Sequence, residues 1–349
     1  MHSDNQNTLV ITGASGFVGR AVLRELAAQD ALLHFERIRL FDQTPVDDQS
    51  QALPLPLECI IGDIRNASAV EEVCMGATVV LHLASMVDWG THSESEVMSV
   101  NVAGTQHVID ACRANQVRGL VYTSSLDAIF SGSPIRMADE TQPYPEPFVN
   151  AYSASKAQAE KLVQAAAGDD LHTVVLRPSG IFGEADPFHL GHLIKMAKSG
   201  PFVKVGNRRC RCMHIYVGNV AHGHLLAAKA ILEGNTAVNG KIYFLVDSPP
   251  ENFFDTLCPI MEQAGISYWP KDVWIPGWAL RPAAWAAEGI AFALRPLVKF
   301  HPGLSRFALD YLCNEFTLDG SKAARDFGFQ PKYSREEAVE RTAEWFKKH

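Results

Sequence analysis

The sequence predicts an α/β fold, a doubly wound parallel sheet followed by a smaller mixed part. Three observations predict it. Short apolar runs alternate with amphipathic segments through the first half of the 349 residues. The first run ends in glycines at a G-x-x-G-x-x-G spacing, Gly13, Gly16 and Gly19. An acid, Asp42, closes the second run, 23 positions after Gly19.

The elements follow in order. LVIT (9–12) is the first strand. FVGRAVLRELAAQ (17–29) is apolar at 17, 18, 22, 23, 26 and 27, a helical period. RIRLFD (37–42), LECII (57–61) and TVVLHL (78–83) are the next three strands. A long helix is predicted from Glu94 to Asn115, then a fifth strand, GLVYTS (119–124). A helix opened by Tyr152 leads to a sixth strand, HTVVLR (172–177). This β-α-β order implies parallel strands with helices on both faces. After Pro178 the pattern loosens, with a helix at 218–233, a strand at 241–246 and a last helix, SREEAVERTAEWFKK. That helix starts with a capping-box pair, Ser334 and Glu337. The expected division is a dinucleotide-binding part at 1–180, with 214–246 returning to it, and a mainly substrate-binding part at 181–349.

Composition narrows the function. A chain that is 47% hydrophobic and 20% charged buries a large core. Its formal charge of −8 and pI of 5.9 argue against a nucleic-acid partner, which needs a basic surface. Seven cysteines are an odd number in a long chain, so no disulfide framework is expected. Cys210-x-Cys212 has no second pair at zinc spacing, and His214, His222 and His224 lack an H-E-x-x-H, so no metal is expected. MHSDNQNTLVITG has no basic start before an apolar run, so no secretory signal is expected. The expected compartment is the cytoplasm.

TGASGFVG (12–19) follows a strand and opens a helix. Glycine lets the backbone turn tightly and approach a pyrophosphate, which the helix N-terminus behind it favours. Gly13, Ser15, Gly16, Phe17, Val18 and Gly19 are therefore candidate cofactor contacts. A carboxylate at Asp42 accepts hydrogen bonds from ribose hydroxyls and repels a 2′-phosphate, which selects NAD over NADP. Asp63 and Ile64, after the third strand, are candidates for the adenine, although Asp63 also reads as a plain turn residue. Ligands in such sheets bind beyond the carboxyl ends of the strands. Leu83, Ala84 and Ser85 after the fourth strand, and Pro178 after the sixth, are placed there.

AYSASKAQAEK (151–161) sets Tyr152 and Lys156 at i and i+4, on one side of a helix. They read either as an anchor and a solvated charge or as a proton-handling pair. An ammonium beside a phenol favours the phenolate and lowers its pKa.

Together, TGASGFVG, YTSS (122–125), Tyr152-x-x-x-Lys156 and RPSGIFG (177–183) resemble the extended short-chain dehydrogenases/reductases, in order and spacing. IRLFD, GDI, the stretch 87–112 with its VNVAGT, YTSSLDAIF, HIYVGNVAHGHLLAA (214–228) and the terminal FTLDGSKAARDFGFQPKYSREEAVERTAEWF extend the likeness. They resemble the 3β-hydroxysteroid dehydrogenase/isomerase family over nearly the whole chain. The resemblance implies a Rossmann-like fold, NAD, a homodimer and a steroid-like apolar substrate. It implies that Tyr152 exchanges a proton with a secondary alcohol, Lys156 lowers its pKa, and Ser125 holds the reacting oxygen, with Ser124 as the alternative. The chain departs from the family at Ala128-Ile129-Phe130, where V-Y-G is common. Bacterial sterol, bile-acid and long-chain β-hydroxy-acid enzymes share the pattern. A double-bond isomerase step would need a second proton carrier. Asp127 is near Ser125, but a polar loop residue is the simpler reading. The proline-rich loop 134–150 shows no clear helix and is expected to border the pocket.

The most apolar stretch is 273–300, with Arg281, Glu288 and Arg295 every seven residues on one helical face. Its charge-free runs are too short to span a bilayer. It reads as a helix over an apolar pocket or as a peripheral membrane contact carrying Trp278 and Trp285. The rival activities are a dehydrogenase of a 2-alkyl-3-hydroxy acid and a nucleotide-sugar epimerase. The latter would need polar groups for a diphosphate, which Arg208, Arg209 and Arg211 could supply.

Overall fold

The computed structural model describes residues 7–27, 35–46, 53, 55–88, 90–294 and 305–349. The chain opens with strand β1 (Thr8–Thr12) and helix α1 (Phe17–Ala27). Strands β2 (Arg37–Asp42) and β3 (Leu57–Ile61), helix α2 (Ala67–Cys74) and strand β4 (Val79–His82) follow. Helix α3 (Glu94–Met98) continues through a π turn (Ser99–Ala103) into α4 (Gly104–Ala114), before β5 (Gly119–Thr123). Strand β6 (Ile135–Ala138), helix α5 (Ala151–Ala165), strands β7 (His172–Pro178) and β8 (Gly180–Phe182) and helix α6 (His189–Ser199) come next. Strands β9 (Lys204–Val205) and β10 (His214–Tyr216), helix α7 (Val217–Leu232), strand β11 (Lys241–Leu245) and helix α8 (Phe253–Gln263) follow. The last elements are β12 (Trp274–Ile275), α9 (Gly277–Leu294), α10 (Arg306–Cys313), β13 (Phe316–Leu318), α11 (Ser321–Phe327) and α12 (Arg335–Lys348).

Seven strands form one parallel sheet in the order β11-β7-β5-β4-β1-β2-β3. All five residues of β1 are buried because the sheet is covered on both faces. Leu9 and Ile11 pack into the layer of Val22, Leu26 and Val220, from α1 and α7. Val10 points the other way, to Val70, Val108 and Val163 of α2, α4 and α5. The strand order reverses between β1 and β4, which opens a crevice at their carboxyl ends.

The structure departs from the sequence expectations, or adds to them, at three places. The helix predicted from Glu94 to Asn115 is interrupted by the π turn, which strains the helix register and marks a site of special contacts. Loop 134–150 contains a strand, β6, because it pairs in parallel with the distant β13. At α12 only half of the capping box is seen. Ser334 Oγ accepts from Glu337 N at 3.2 Å, while Glu337 Oε1 pairs with Arg341 at 3.1 Å. The fully reciprocal box is at α3, between Ser93 and Glu96.

Helix α9 presents its charges to α10 and its aromatic rings to solvent. Arg281 pairs with Asp310 at 2.6 Å and Glu288 with Arg306 at 2.6 Å. Trp278 is 76% exposed, Trp285 62% and Ile290 55%. Arg295, the third member of the predicted charge row, lies outside the described residues. Among the described residues no helix is long and apolar enough to cross a membrane.

Candidate active site

At the end of β1 the backbone turns through Gly13, at φ +74°. A Cβ there would stand 2.5 Å from Ala84 N, so the loop runs against the chain leaving β4. A Cβ on Gly19 would stand 2.2 Å from Gly13 O, which is why α1 can start so close to the turn. The first turn of α1 holds no acid, leaving its N–H groups and positive dipole end to an anion. Asp42, at the end of β2, is tied to this loop. Its Oδ2 accepts from Ser15 N at 3.0 Å and its Oδ1 from Thr44 N at 3.1 Å. The donor set, a glycine cradle with a carboxylate beyond it, fits a dinucleotide's pyrophosphate and ribose.

Asp63 is committed elsewhere. Arg65 grips its carboxylate through Nε, at 3.1 and 2.9 Å, and holds its pKa below the usual carboxylate range. Ile64 is buried, with its side chain where a Cβ on Gly104 would fall.

Leu83, Ala84 and Ser85 run past the end of β4, held by a residue that the sequence reading passed over. Asn101 sits inside the π turn. Its Oδ1 accepts from Met86 N at 2.8 Å and from Ser85 Oγ at 3.2 Å. Its Nδ2 donates to Met86 O at 3.0 Å and to Ser155 Oγ at 2.9 Å. One side chain thus ties the chain leaving β4 to α5. The only sequence signal was its place in VNVAGT.

His82 stands behind it. Thr105 Oγ1 gives its proton to Asn101 O at 2.6 Å, so His82 Nε2 donates to Thr105 at 3.0 Å. Nδ1 then accepts from Thr12 Oγ1 at 2.7 Å. Burial first, and then the Lys156 charge, push His82 down to about 3, so the ring is neutral.

Helix α5 starts at Ala151, where Asn150 Oδ1 caps Ser153 N at 2.8 Å. Its first turns carry Tyr152 and Lys156, 5% and 2% exposed. Both stand over β5. Lys156 Nζ donates to Thr123 O at 2.9 Å and lies 5.9 Å from the centre of the Tyr152 ring. Burial pushes Lys156 down to about 7. Tyr152 moves opposite to the sequence expectation. Burial raises its pKa, Asp127 raises it further, and a hydrogen bond with Ser125 lowers it by less.

The two serines after β5 diverge. Ser124 Oγ donates to the buried carboxylate of Glu160, which Arg177 holds through Nε at 2.8 Å and Nη2 at 2.6 Å. Ser125 faces Tyr152. It also caps the short turn Leu126–Ile129, accepting from Asp127 N at 3.1 Å. Pro178 ends β7, buried and in register with Leu245 of β11.

Near Tyr152, around Tyr311, lies a packed aromatic cluster. Phe130, fully buried, meets Phe316 at 4.8 Å and Phe307 at 5.7 Å between ring centres. Tyr311 stacks on Phe316 at 5.4 Å and on His189 at 6.0 Å. Phe130, one of the altered residues 128–130, therefore packs against α10 and β13. The arginines 208–211 are not grouped for a diphosphate. Arg208 pairs with Asp272 at 2.6 Å and Arg211 donates to Arg208 O at 3.1 Å.

A parallel sheet with a glycine cradle at its switch point and a tyrosine–lysine helix beside it defines an extended short-chain dehydrogenase/reductase, an oxidoreductase class. Residues 10–272 match the model of the 3-beta hydroxysteroid dehydrogenase/isomerase family, and the chain belongs to that family. It is 32% identical to 3 beta-hydroxysteroid dehydrogenase type 7 of Mus musculus, over 96% of this chain and 94% of the mouse protein. It is also 32% identical to short-chain dehydrogenase/reductase family 42E member 1 of Xenopus laevis, over 99% of this chain and 89% of that one. Among solved structures, gox2253 is 26% identical with a TM-score of 0.75, covering 99% of both chains. A UDP-glucuronic acid 4-epimerase from Bacillus cereus in complex with NAD shares the fold at 18% identity and TM-score 0.73, covering 98% of this chain and 99% of that one.

Proposed function

We propose that this chain is an NAD-dependent dehydrogenase of a secondary alcohol on a bulky apolar skeleton, a 3β-hydroxysteroid or sterol first among them. The observation that supports the substrate class is the aromatic cluster of Phe130, Phe307, Tyr311 and Phe316, of which Tyr311 lies near enough to Tyr152 to feel its charge. The likeness to 3 beta-hydroxysteroid dehydrogenase type 7 over nearly the whole chain supports the same reading.

NAD is the cofactor. Gly13, Ser15, Gly16, Phe17, Val18 and Gly19 would hold its pyrophosphate, and Asp42 its adenosine ribose. The backbone at Asp63 and Ile64 would border the adenine. Leu83, Ala84, Ser85 and Pro178 would line the crevice towards the nicotinamide. Bound there, NAD accepts the hydride. The protein's own work is positioning and proton transfer. Tyr152 meets the substrate oxygen and Ser125 holds that oxygen against it. Lys156 anchors the end of β5 and would face the ribose beside the nicotinamide. In this reading residues 1–180, with 214–246, form the cofactor part, and 181–349 mainly the substrate part.

A panel with NAD tests the substrate: 3β-, 3α- and 17β-hydroxysteroids, a long-chain 2-alkyl-3-hydroxy acid and a UDP-sugar. Reduced cofactor forming selectively with the 3β-hydroxysteroid is expected, and a conjugated enone product would add isomerase activity. Turnover of the hydroxy acid alone would leave the machinery in place and replace the substrate. Turnover of the UDP-sugar alone would make the chain an epimerase.

The exposed Trp278, Trp285 and Ile290 support a peripheral membrane contact through 273–300, with no crossing. Sedimentation with phospholipid vesicles is expected to carry the protein down. Its loss in a Trp278→Ser, Trp285→Ser double variant would place the contact on α9. Wild-type protein left in the supernatant would remove it.

A further inference from the structure

Lys156 carries its amine into a closed part of the site. The residue is 2% exposed, and Nζ donates to Thr123 O at 2.9 Å. Two carboxylates act on its charge, Glu160 one turn on in α5 and Asp127 in the turn Leu126–Ile129. Both are committed elsewhere. Arg177 grips Glu160 at 2.6 Å, and Asp127 Oδ2 accepts from Ser125 Oγ at 2.7 Å. Among the described residues Lys156 forms no ion pair. A buried charge without a pair is costly, and an amine so placed tends to give up its proton.

What faces Nζ instead is a ring. It lies 5.0 Å from the centre of Tyr122, against 5.9 Å for Tyr152, within the reach of a cation held by an aromatic face. Tyr122 stands on β5, 1% exposed, in the layer of Val80, Val108 and Val163 under α4 and α5. Its hydroxyl is closed off from solvent and has no hydrogen-bond partner among the described residues, so what it offers its neighbours is the ring. Burial keeps the phenol un-ionised, so no phenolate stands in as counter-ion. His82, with its ring 5.5 Å from that of Tyr122, is neutral too and sets no charge against the ammonium. The charged and titratable groups around Lys156 are therefore Glu160 and Tyr152 from α5, Asp127 from the turn, His82 from β4 and Tyr122 from β5.

We propose that the ring of Tyr122 is the partner that keeps Lys156 an ammonium in its buried place, and so sets the pH range over which Tyr152 and Lys156 work together. The second half rests on the alcohol-oxidising reading above, and the first half does not. An aromatic face attracts the ammonium and not the neutral amine. The ring therefore lifts the titration point of Lys156 above the level that burial alone would leave. Removing the ring lowers that point. Lys156 is charged below its titration point and neutral above it, so without the ring the charge is gone from a lower pH upward. With it goes the cation beside Tyr152. Tyr122 acts through Lys156 and not on the substrate, so it is a positioning residue.

The first test needs no substrate. The protein is made with lysine carrying carbon-13 at Cε, and the Lys156 signal is the one lost in Lys156→Arg. Its titration by nuclear magnetic resonance reads the charge directly. Tyr122→Phe keeps the face and is expected to titrate as the wild type does. Tyr122→Leu removes the face and is expected to titrate about one pH unit lower, the size of a cation–ring attraction away from water. Fluorinated phenylalanines placed at 122 keep the ring's shape and weaken its negative face, so they answer even where the leucine variant does not fold. The titration point is expected to fall stepwise through the mono-, di- and trifluoro forms. A point indifferent to fluorine, or a Tyr122→Phe point as low as that of Tyr122→Leu, would overturn the hold of the ring on the charge. The second test uses any alcohol that the wild type oxidises. The alkaline fall of kcat is expected to begin at a lower pH in the trifluoro form, by the shift seen in its titration. A fall that stays in place while the titration point moves would overturn the part of the ring in the reaction. A wild type silent towards every alcohol would remove the reaction, and the titration would still decide the charge.

Discussion

Tyr152→Phe is expected to lower kcat for alcohol oxidation by about two to four orders of magnitude, the range for removing one positioned acid–base group. NAD should bind as before. The ring fills the same buried space, 5% exposed in the native residue, so the helix and the end of β5 have no reason to move. What disappears is the hydroxyl that, in the proposed reaction, would meet the substrate oxygen. Calorimetric titration with NAD and steady-state rates on the same preparation separate the two effects. A loss of both would mean that the ring was structural. Turnover within about threefold of wild type would move the proton chemistry away from Tyr152.

The second large effect is on stability. Glu160→Ala is expected to cost about 3–5 kcal/mol, because it leaves a buried charge without its partner. Arg177 is 1% exposed and Glu160 fully buried, with Nε and Nη2 of Arg177 bonded to its two oxygens. Nη1 already lacks a partner among the described residues. Ser124 Oγ and Tyr144 Oη, the latter at 2.8 Å, lose their acceptor in the same step. Glu160→Gln keeps an acceptor and is expected to cost less. Urea unfolding reads both, as a lower midpoint at unchanged slope. A cost below about 1 kcal/mol for the alanine variant would contradict the account of this pair. Because Glu160 lies on α5 with Tyr152 and Lys156, the pair also fixes the helix that presents them.

The parts legible in the sequence were those where burial writes a continuous pattern. TLVIT and HTVVLR read as strands because both faces of the sheet are covered, so no polar alternation interrupts them. The glycine loop was legible because tight turns and close backbone approach exclude side chains. Asp42 was legible by its distance from that loop. The rest depends on tertiary contacts that no local pattern encodes. The π turn around Asn101 interrupts a segment whose composition is helical throughout. Strand β6 exists only because β13 lies beside it, 180 positions away for the Met137–Thr317 contact. Tyr152 and Lys156 share one helical face as expected, but the expected lowering of the phenol left out burial and the Asp127 charge, both of which raise it. Asp127 read as a loop residue because nothing in the sequence shows that its carboxyl is closed off from water. In 273–300 the apolar residues suggested an inward face. Instead Arg281 and Glu288 pair with α10 at the surface, and Trp278 and Trp285 stay exposed.

The most direct test follows one atom. A 3β-hydroxysteroid carrying deuterium on its carbinol carbon is incubated with the protein and NAD, and the cofactor and steroid are weighed by mass spectrometry. The account predicts deuterium in the reduced nicotinamide and a ketone lacking it, with both lost in Tyr152→Phe. Label that stays on the steroid while a UDP-sugar epimerises without net reduction of NAD would contradict it.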